Sequence, residues 1–368
     1  MKSRERLAES MIQRIRAMVP TGMSATNFLT ELVDEALDVQ ADGPTPMGIV
    51  AGVTKSAVLA SARKTAENVD SVARICARPE GIVDLGTIEW LMRPSVPLVD
   101  GAFSPIGHGP WRGLGEKFAT TVACNVCRIE ASTSGFGSFH LGTAFVLGQD
   151  NASRTVLVTN AHVVEAAQLK FGWPRIKESV LKADFGREIG GRNGVSLAID
   201  SEFRIHPIHD LALVFVSECD RSTWPTMFFA NSAPPAVNEK GIGVIGHPSF
   251  DSNLDPLPRI YGFGDAFGIK RFSPGLLRAV EHRSWRFHDV PVALHDATTL
   301  SGSSGSCVFD LETLAVLGLH FGGWPQDAKV ASISGQITLA ELFEANGAVP
   351  FWELVQDPFL EGIQIRWS

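Results

Sequence analysis

Cysteine is scarce in this chain of 368 residues, which has five: Cys76, Cys124, Cys127, Cys219 and Cys307. An odd number, thinly spread, excludes a small disulfide scaffold. Cys124 and Cys127 have CxxC spacing, but there is no second pair for zinc and no βαβ pattern for redox chemistry. They read as small core residues of the strand-like run FATTVACNVCRIE. There is no HExxH motif either, so no metal and no cofactor is expected. No apolar run approaches the ~18 residues of a membrane span. At the N-terminus, Glu5, Glu9, Gln13, Arg14 and Arg16 interrupt every stretch that would serve as a signal-peptide core, so a cytoplasmic location is expected. Basic charge is not in excess: the net charge is -8, and a nucleic-acid surface is not expected. Residues 1–110 hold 11 Lys and Arg against 13 Asp and Glu, a net of -2, which supports neither nucleic-acid nor membrane docking. No internal repeat is visible.

What is present is ordinary globular material, 45% apolar and 20% charged, enough for a sizeable core and about two domains. Residues 1–78 look helical. Leu7, Met11, Ile15 and Met18 form one stripe, and Pro20 and Gly22 end it. Ser24 can cap a second helix with Phe28, Leu29, Leu32, Val33, Ala36 and Leu37 on one face. A third helix is expected over Thr54 to Ala77. Residues 78–117, rich in Pro and Gly, read as a linker with some short structure. From Phe118 onward, short β-rich runs alternate with turn residues, which indicates an all-β barrel or sandwich. LAELFEANG near the end reads as one helix closed by Gly347. The expected divisions are 1–110, helical region plus linker; 111–350, a β domain; and 351–368, a C-terminal tail.

Three segments carry chemistry. In DATTLSGSSGSCVFD, Ser304 is flanked by small residues that permit a tight turn and expose a hydroxyl. Backbone N–H groups of Gly302 and Ser304 could converge on one oxygen as an oxyanion hole. A serine nucleophile needs a base. His162 lies in TNAHVV, at the end of an apolar strand and the start of a small-residue turn, although nine other histidines compete for the role. The base needs a carboxylate to fix its tautomer. Asp210 heads the apolar run LALVFV, where a buried carboxylate is costly unless paired. In an extended segment its neighbour His209 points the other way. Asp200 and Asp296 are the next candidates. Each residue alone reads more simply as loop, structural histidine or turn cap.

Together, in the order His162, Asp210, Ser304 with separations of 48 and 94 residues, they resemble the motifs of trypsin-like serine proteases. TNAHVV, HDLALV and SGSSGSCVF each resemble one of the family's three motifs, in particular in the bacterial branch that includes glutamyl endopeptidases. The resemblance covers about Phe118 to Gly347. It implies a mainly β, chymotrypsin-like pair of six-stranded barrels, preceded here by an α-helical region, with the active site between the barrels. It also implies hydrolysis of peptide bonds in protein or peptide substrates. Phe321, Gly322 and Gly323 resemble the edge on which a substrate adds as a strand. Thr299 and His320 resemble the pocket that receives glutamate before the cut bond, whereas a trypsin-like preference would want an acid at Thr298. Two residues depart from the pattern: Ser303 where Asp or Asn is common, and Cys307 where Pro is common. Many such enzymes become active when a cleaved amino terminus inserts into the barrel, and no processing signature is visible here. Two roles follow for the whole chain. One is an intracellular endopeptidase regulated or recruited to a partner protein through residues 1–110. The other is a protease domain retained as a scaffold.

Overall fold

The structure is a computed structural model. It describes residues 2–41, 55–103, 106–107, 109–114, 118, 121–133, 137–176, 179–190, 195–217, 224–235, 240–250, 266–286, 288–323 and 346–368. Two helices, α1 (Lys2–Met18) and α2 (Ala25–Ala41), stand where the apolar stripes place them. Met11, Ile15, Leu29, Leu32 and Val33 are buried in one helical core with Leu59, Ile75, Leu85 and Ile88. The expected third helix is two: α3 (Lys55–Ala66) and a short α4 (Val72–Cys76) whose N-cap Ser71 accepts from the Arg74 amide. A side-chain oxygen that takes a free first-turn N–H restarts the helix there.

The stretch expected to be a linker contains α5 (Gly81–Met92) and the strand β1 (Val96–Val99). Helix α5 has no polar face to reveal it, because it is enclosed on most sides. Even Asp84, Thr87 and Glu89 are buried. Asp84 is satisfied by the hydroxyls of Ser61 and Thr65 and by Arg78. From α5 the chain runs into β1, which pairs with the long strand β11 (Arg271–Trp285), and on into β2 (Ala102–Phe103). The expected boundary at residue 110 therefore falls after two strands that already belong to the C-terminal sheet.

Two sheets make up the rest. The N-terminal sheet contains β3 (Val126–Thr133), β4 (Ser138–Asp150), β5 (Thr155–Thr159), β6 (Ser179–Asp184), β7 (Ser196–Ala198), β8 (Phe203–Ile205) and β9 (Ala212–Val216), in the order β7-β6-β3-β4-β5-β9-β8. The C-terminal sheet contains β10 (Gly241–Gly246), β11, β12 (His288–His295), β13 (Cys307–Asp310), β14 (Val316–Gly323) and β15 (Asn346–Pro350). Its order is β10-β13-β14-β15-β12-β11, and a β10–β11 ladder closes these six strands into a ring. The N-terminal sheet is an open path among the described residues. The fold is mainly β, with the helices gathered at the N-terminus. One core runs through both sheets, joining Phe145 and Phe215 to Phe272 and Phe309 by way of Phe118 and Phe351.

Residues 339–345 of the expected late helix lie outside the described residues, and Asn346 and Gly347 open β15 instead. Gly347 faces the Phe321 ring, which leaves no room for a Cβ. Residues 351–368 are an integral part of the fold: Phe351, Leu354 and Leu360 are in the shared core, and β16 (Ile363–Gln364) pairs with β4. None of the described helices is long and apolar enough to cross a membrane.

Candidate active site

Strand β5 is wholly buried and ends at Thr159, followed by the helix cap Asn160. The small-residue turn expected after it is the first turn of α6 (Ala161–Phe171), which Gly172 closes with φ +68°. His162 thus projects from a helix N-terminus, where main-chain N–H groups lack helical partners and a negative charge is favoured. Asp210 supplies that charge. Its Oδ1 accepts the His162 amide at 3.1 Å, and its Oδ2 lies 2.7 Å from the ring Nδ1. The Asp210 carbonyl accepts Asn160 Nδ2 at 2.8 Å. The carboxylate is 2% exposed and the imidazole 39%, so one end of the pair is anchored and the other faces solvent. The His209 ring lies 4.8 Å from that of His206. Asp200 and Asp296 are engaged elsewhere, the former with Ser217 and the latter with Arg93 and Arg278.

Ser304 sits on a turn between Gly302 (φ +82°) and Gly305 (φ +87°). Both backbone angles favour glycine. A Cβ on Gly305 would lie 1.8 Å from the Thr143 carbonyl oxygen. The Ser304 carbonyl accepts the Thr143 amide at 2.7 Å, and the Ser304 hydroxyl donates to the Phe321 carbonyl at 3.4 Å. No hydrogen bond joins that hydroxyl to His162.

Two residues that sequence reasoning passed over, Gly142 and Thr143 of β4, bring the parts together. A Cβ on Gly142 would lie 2.7 Å from Val163 of α6 and 3.0 Å from the Ser304 carbonyl oxygen. This bare backbone position is where the histidine helix meets the serine turn. Thr143 Oγ1 donates to the Gly302 carbonyl at 3.0 Å and accepts the His247 amide at 3.0 Å. A glycine inside the strand pattern FHLGTAF was the available signal, since such a glycine marks a close backbone approach.

The residues expected to line the specificity pocket lie behind Ser304. Thr298 is buried and donates its hydroxyl to the Arg93 carbonyl at 2.7 Å, so it is not free to meet a substrate. Thr299 donates to Asn346 Oδ1 at 2.9 Å. His320 is 1% exposed, with Nδ1 3.2 Å from Nε2 of His295. Burial holds His320 well below the ordinary histidine value, with the neighbouring His295 and His162 adding to the effect. Burial, aided by the Arg93 cation, takes His295 down to about 3. Both rings are neutral. On the side of β14 that faces β13, the ladder ends at Leu319, and His320 continues the contact by donating to the Ser306 carbonyl and accepting the Gly305 amide. Beyond it Gly322 and Gly323 pair with Gly347 and Asn346 of β15. Among the described residues no group of His, Cys, Asp and Glu is arranged to hold a metal.

A mainly β fold with a serine-bearing turn beside a histidine–aspartate pair is the arrangement that a serine protease uses. Residues 142–319 match the family model of trypsin-like peptidase domains. A probable serine protease of Lysobacter enzymogenes is 25% identical over 282 residues, which is 67% of this chain and 70% of that protein. Among solved structures, the HtrA-type protease AlgW with a decapeptide is 12% identical, with a TM-score of 0.41 over 63% of this chain and 62% of that one. The active form of the Rv3671c protease from M. tuberculosis is 19% identical, with a TM-score of 0.40 over 66% of this chain and 82% of that one.

Proposed function

We propose that this serine protease is an endopeptidase in which Ser304 is the nucleophile, His162 the base and Asp210 the carboxylate that orients it. The observation that carries this reading is the two-point hold of Asp210 on His162 at 3.1 and 2.7 Å. With Nδ1–H given to the carboxylate, the exposed Nε2 keeps its lone pair and can take a proton. The Ser304 side chain rotates away from the Phe321 carbonyl and loses its proton to Nε2 as its oxygen attacks the scissile carbonyl. The Gly302 and Ser304 amides receive the developing negative charge. His162 then protonates the leaving amine, and water repeats the cycle on the acyl-enzyme. The substrate backbone adds beside residues 321–323 as an extra strand. A fluorophosphonate probe is expected to label the intact chain and to leave Ser304→Ala unlabelled. Absence of labelling from the folded wild-type protein would overturn the reading in favour of a scaffold.

The same proposal includes a preference for glutamate before the cut bond. Thr299 and the neutral His320 are the donors, and charge-assisted hydrogen bonds are the strong kind. The Thr299 hydroxyl must turn from Asn346 to the incoming carboxylate. A peptide library should show Glu, then Asp, at that position, and His320→Ala should erase this preference more than it slows other peptides. Preference for Arg, Lys or a large aromatic side chain refutes it. Residues 1–110 are assigned to regulation or recruitment of a partner protein. An intracellular setting belongs to the same proposal; it is supported by the scarcity of cysteine in the chain, which suits a reducing compartment.

A further inference from the structure

We infer that Ser249 and Ser306 are positioning residues that aim the two oxyanion donors, and that they do so in the uncleaved chain. This rests on the role proposed for Ser304. A trans peptide group is planar, with its N–H and C=O pointing in opposite directions, so gripping the carbonyl aims the amide. The Gly302 N–H shares its peptide group with the Ser301 carbonyl. Ser249 donates to that oxygen twice, from its amide at 2.6 Å and from its hydroxyl at 2.8 Å. The Ser304 N–H shares its peptide group with the Ser303 carbonyl. Ser306 repeats the arrangement there, with its amide at 2.9 Å and its hydroxyl at 2.5 Å. The Gly302 and Ser304 amides themselves donate to no acceptor among the described residues.

Both clamps are held from behind. The turn before Ser249 is tied to β4 through the His247 amide and Thr143 Oγ1 at 3.0 Å, and the Pro248 carbonyl accepts the Gly268 amide at 2.6 Å. Ser306 is fully buried, and its hydroxyl fits only because Gly246 has no side chain: a Cβ there would lie 1.7 Å away. A Cβ on Gly302 would come within 2.9 Å of Ser249 Oγ. Ser303 stands where Asp or Asn is common in the family that the chain resembles. It is buried, and its hydroxyl accepts the Leu300 amide at 3.3 Å. There is no carboxylate at this position. Neutral hydroxyls from two flanking segments do the aiming instead.

The test uses the full-length protein, confirmed intact by mass spectrometry, with a cleavable peptide and a peptide boronate whose tetrahedral adduct places an oxygen in the hole. Ser249→Ala and Ser306→Ala should each lower kcat about tenfold with KM unchanged, as expected for one lost hydrogen bond. Each should weaken the boronate by the same factor, and the double variant about a hundredfold. Ser249→Thr keeps the hydroxyl and should recover most of the loss. Ser249 is half-exposed, so its variants remain informative even if Ser306→Ala folds poorly. Values of kcat and boronate affinity within twofold of wild type overturn the clamp, as does a loss confined to KM. Activity that appears only after chain cleavage overturns it too. If the wild-type chain takes up no fluorophosphonate, the role of Ser304 fails and the clamp with it. If the wild type labels and the variants match it, the clamp alone fails.

Discussion

At the scale of single residues, the site depends on what each neighbour lets a functional group do. Asp210 is buried at 2% exposure, an environment that penalises a carboxylate unless donors meet both oxygens. The His162 amide and ring are those donors. Asp210→Asn keeps the shape but presents an N–H to Nδ1 and so favours the wrong tautomer. We expect kcat to fall on the order of 10⁴-fold with the fold retained, measured as peptide turnover alongside circular dichroism. Near-normal kinetics would mean that another group serves the histidine, although Asp200 and Asp296 are both engaged elsewhere.

Among the elements, the segment that joins α5 to β1 matters most. Strand β1 pairs with β11, and Ser95 accepts the buried Arg271 guanidinium on its hydroxyl at 3.2 Å and its carbonyl at 2.5 Å. Arg93 meets Asp296 at 3.2 Å with both side chains buried. Burial takes Arg271 down to about 9 from its ordinary value, so this cation depends on the acceptors around it. Removing residues 1–100 would strip β1 from the outer edge of β11 and take away these partners. Truncation there should therefore unfold the C-terminal sheet rather than merely release a regulatory domain. A large fall in melting temperature, or aggregation of the shortened chain, is the expected result. Separately, Asp296→Asn breaks a buried ion pair and should cost about 3–5 kcal/mol, read from urea unfolding. At the other side of the site, Arg286 on the β11–β12 turn grips both oxygens of Glu165 on α6 at 2.5 and 2.6 Å, so the two sheets are also joined beside the histidine.

Across the whole molecule, several basic groups are buried in their neutral forms or close to them. Burial takes His140 and His209 down to about 4 from 6.5, with the Arg128 cation adding to the effect at His140 and His206 at His209. Fully buried His247 is shifted the same way. Between about pH 6.5 and 4 the unfolded chain binds protons that the folded chain refuses, so stability falls as pH drops through that window. Lys270 works at the alkaline end. It is buried, with Nζ 2.7 and 2.8 Å from the Ala123 and Phe185 carbonyls, and burial brings it down to about 8 from 10.5. Between about pH 8 and 10.5 the unfolded state again holds the extra proton, so stability rises with pH there. We expect melting temperature to fall steeply below pH 6.5 and to creep upward above pH 8 where the other groups allow. A flat acid limb would show that these histidines are not buried neutral.

The sequence by itself determined the class and the order of the candidate site. His162, Asp210 and Ser304 sit in local contexts that can be read residue by residue: an apolar strand ending at a histidine, a carboxylate entering a buried strand, and a serine between glycines. The stripes of α1 and α2 were legible for the same reason, since one face of each is apolar and the other polar. Helix α5 was not legible, because an element enclosed on most sides loses the periodicity that reveals a surface helix. The break between α3 and α4 depended on one cap at Ser71. Only the tertiary structure decided that Gly142 is where α6 and the Ser304 turn meet, that His320 is backed by His295, and that β1 and β2 belong to the C-terminal sheet. It also decided that Ser249 and Ser306 grip the carbonyls behind the Gly302 and Ser304 amides. Each of these rests on contacts between residues distant in the chain, made through bare backbone or short hydroxyl side chains. Such contacts leave no periodicity or motif in the sequence, and they exist only once the sheets have brought their partners together.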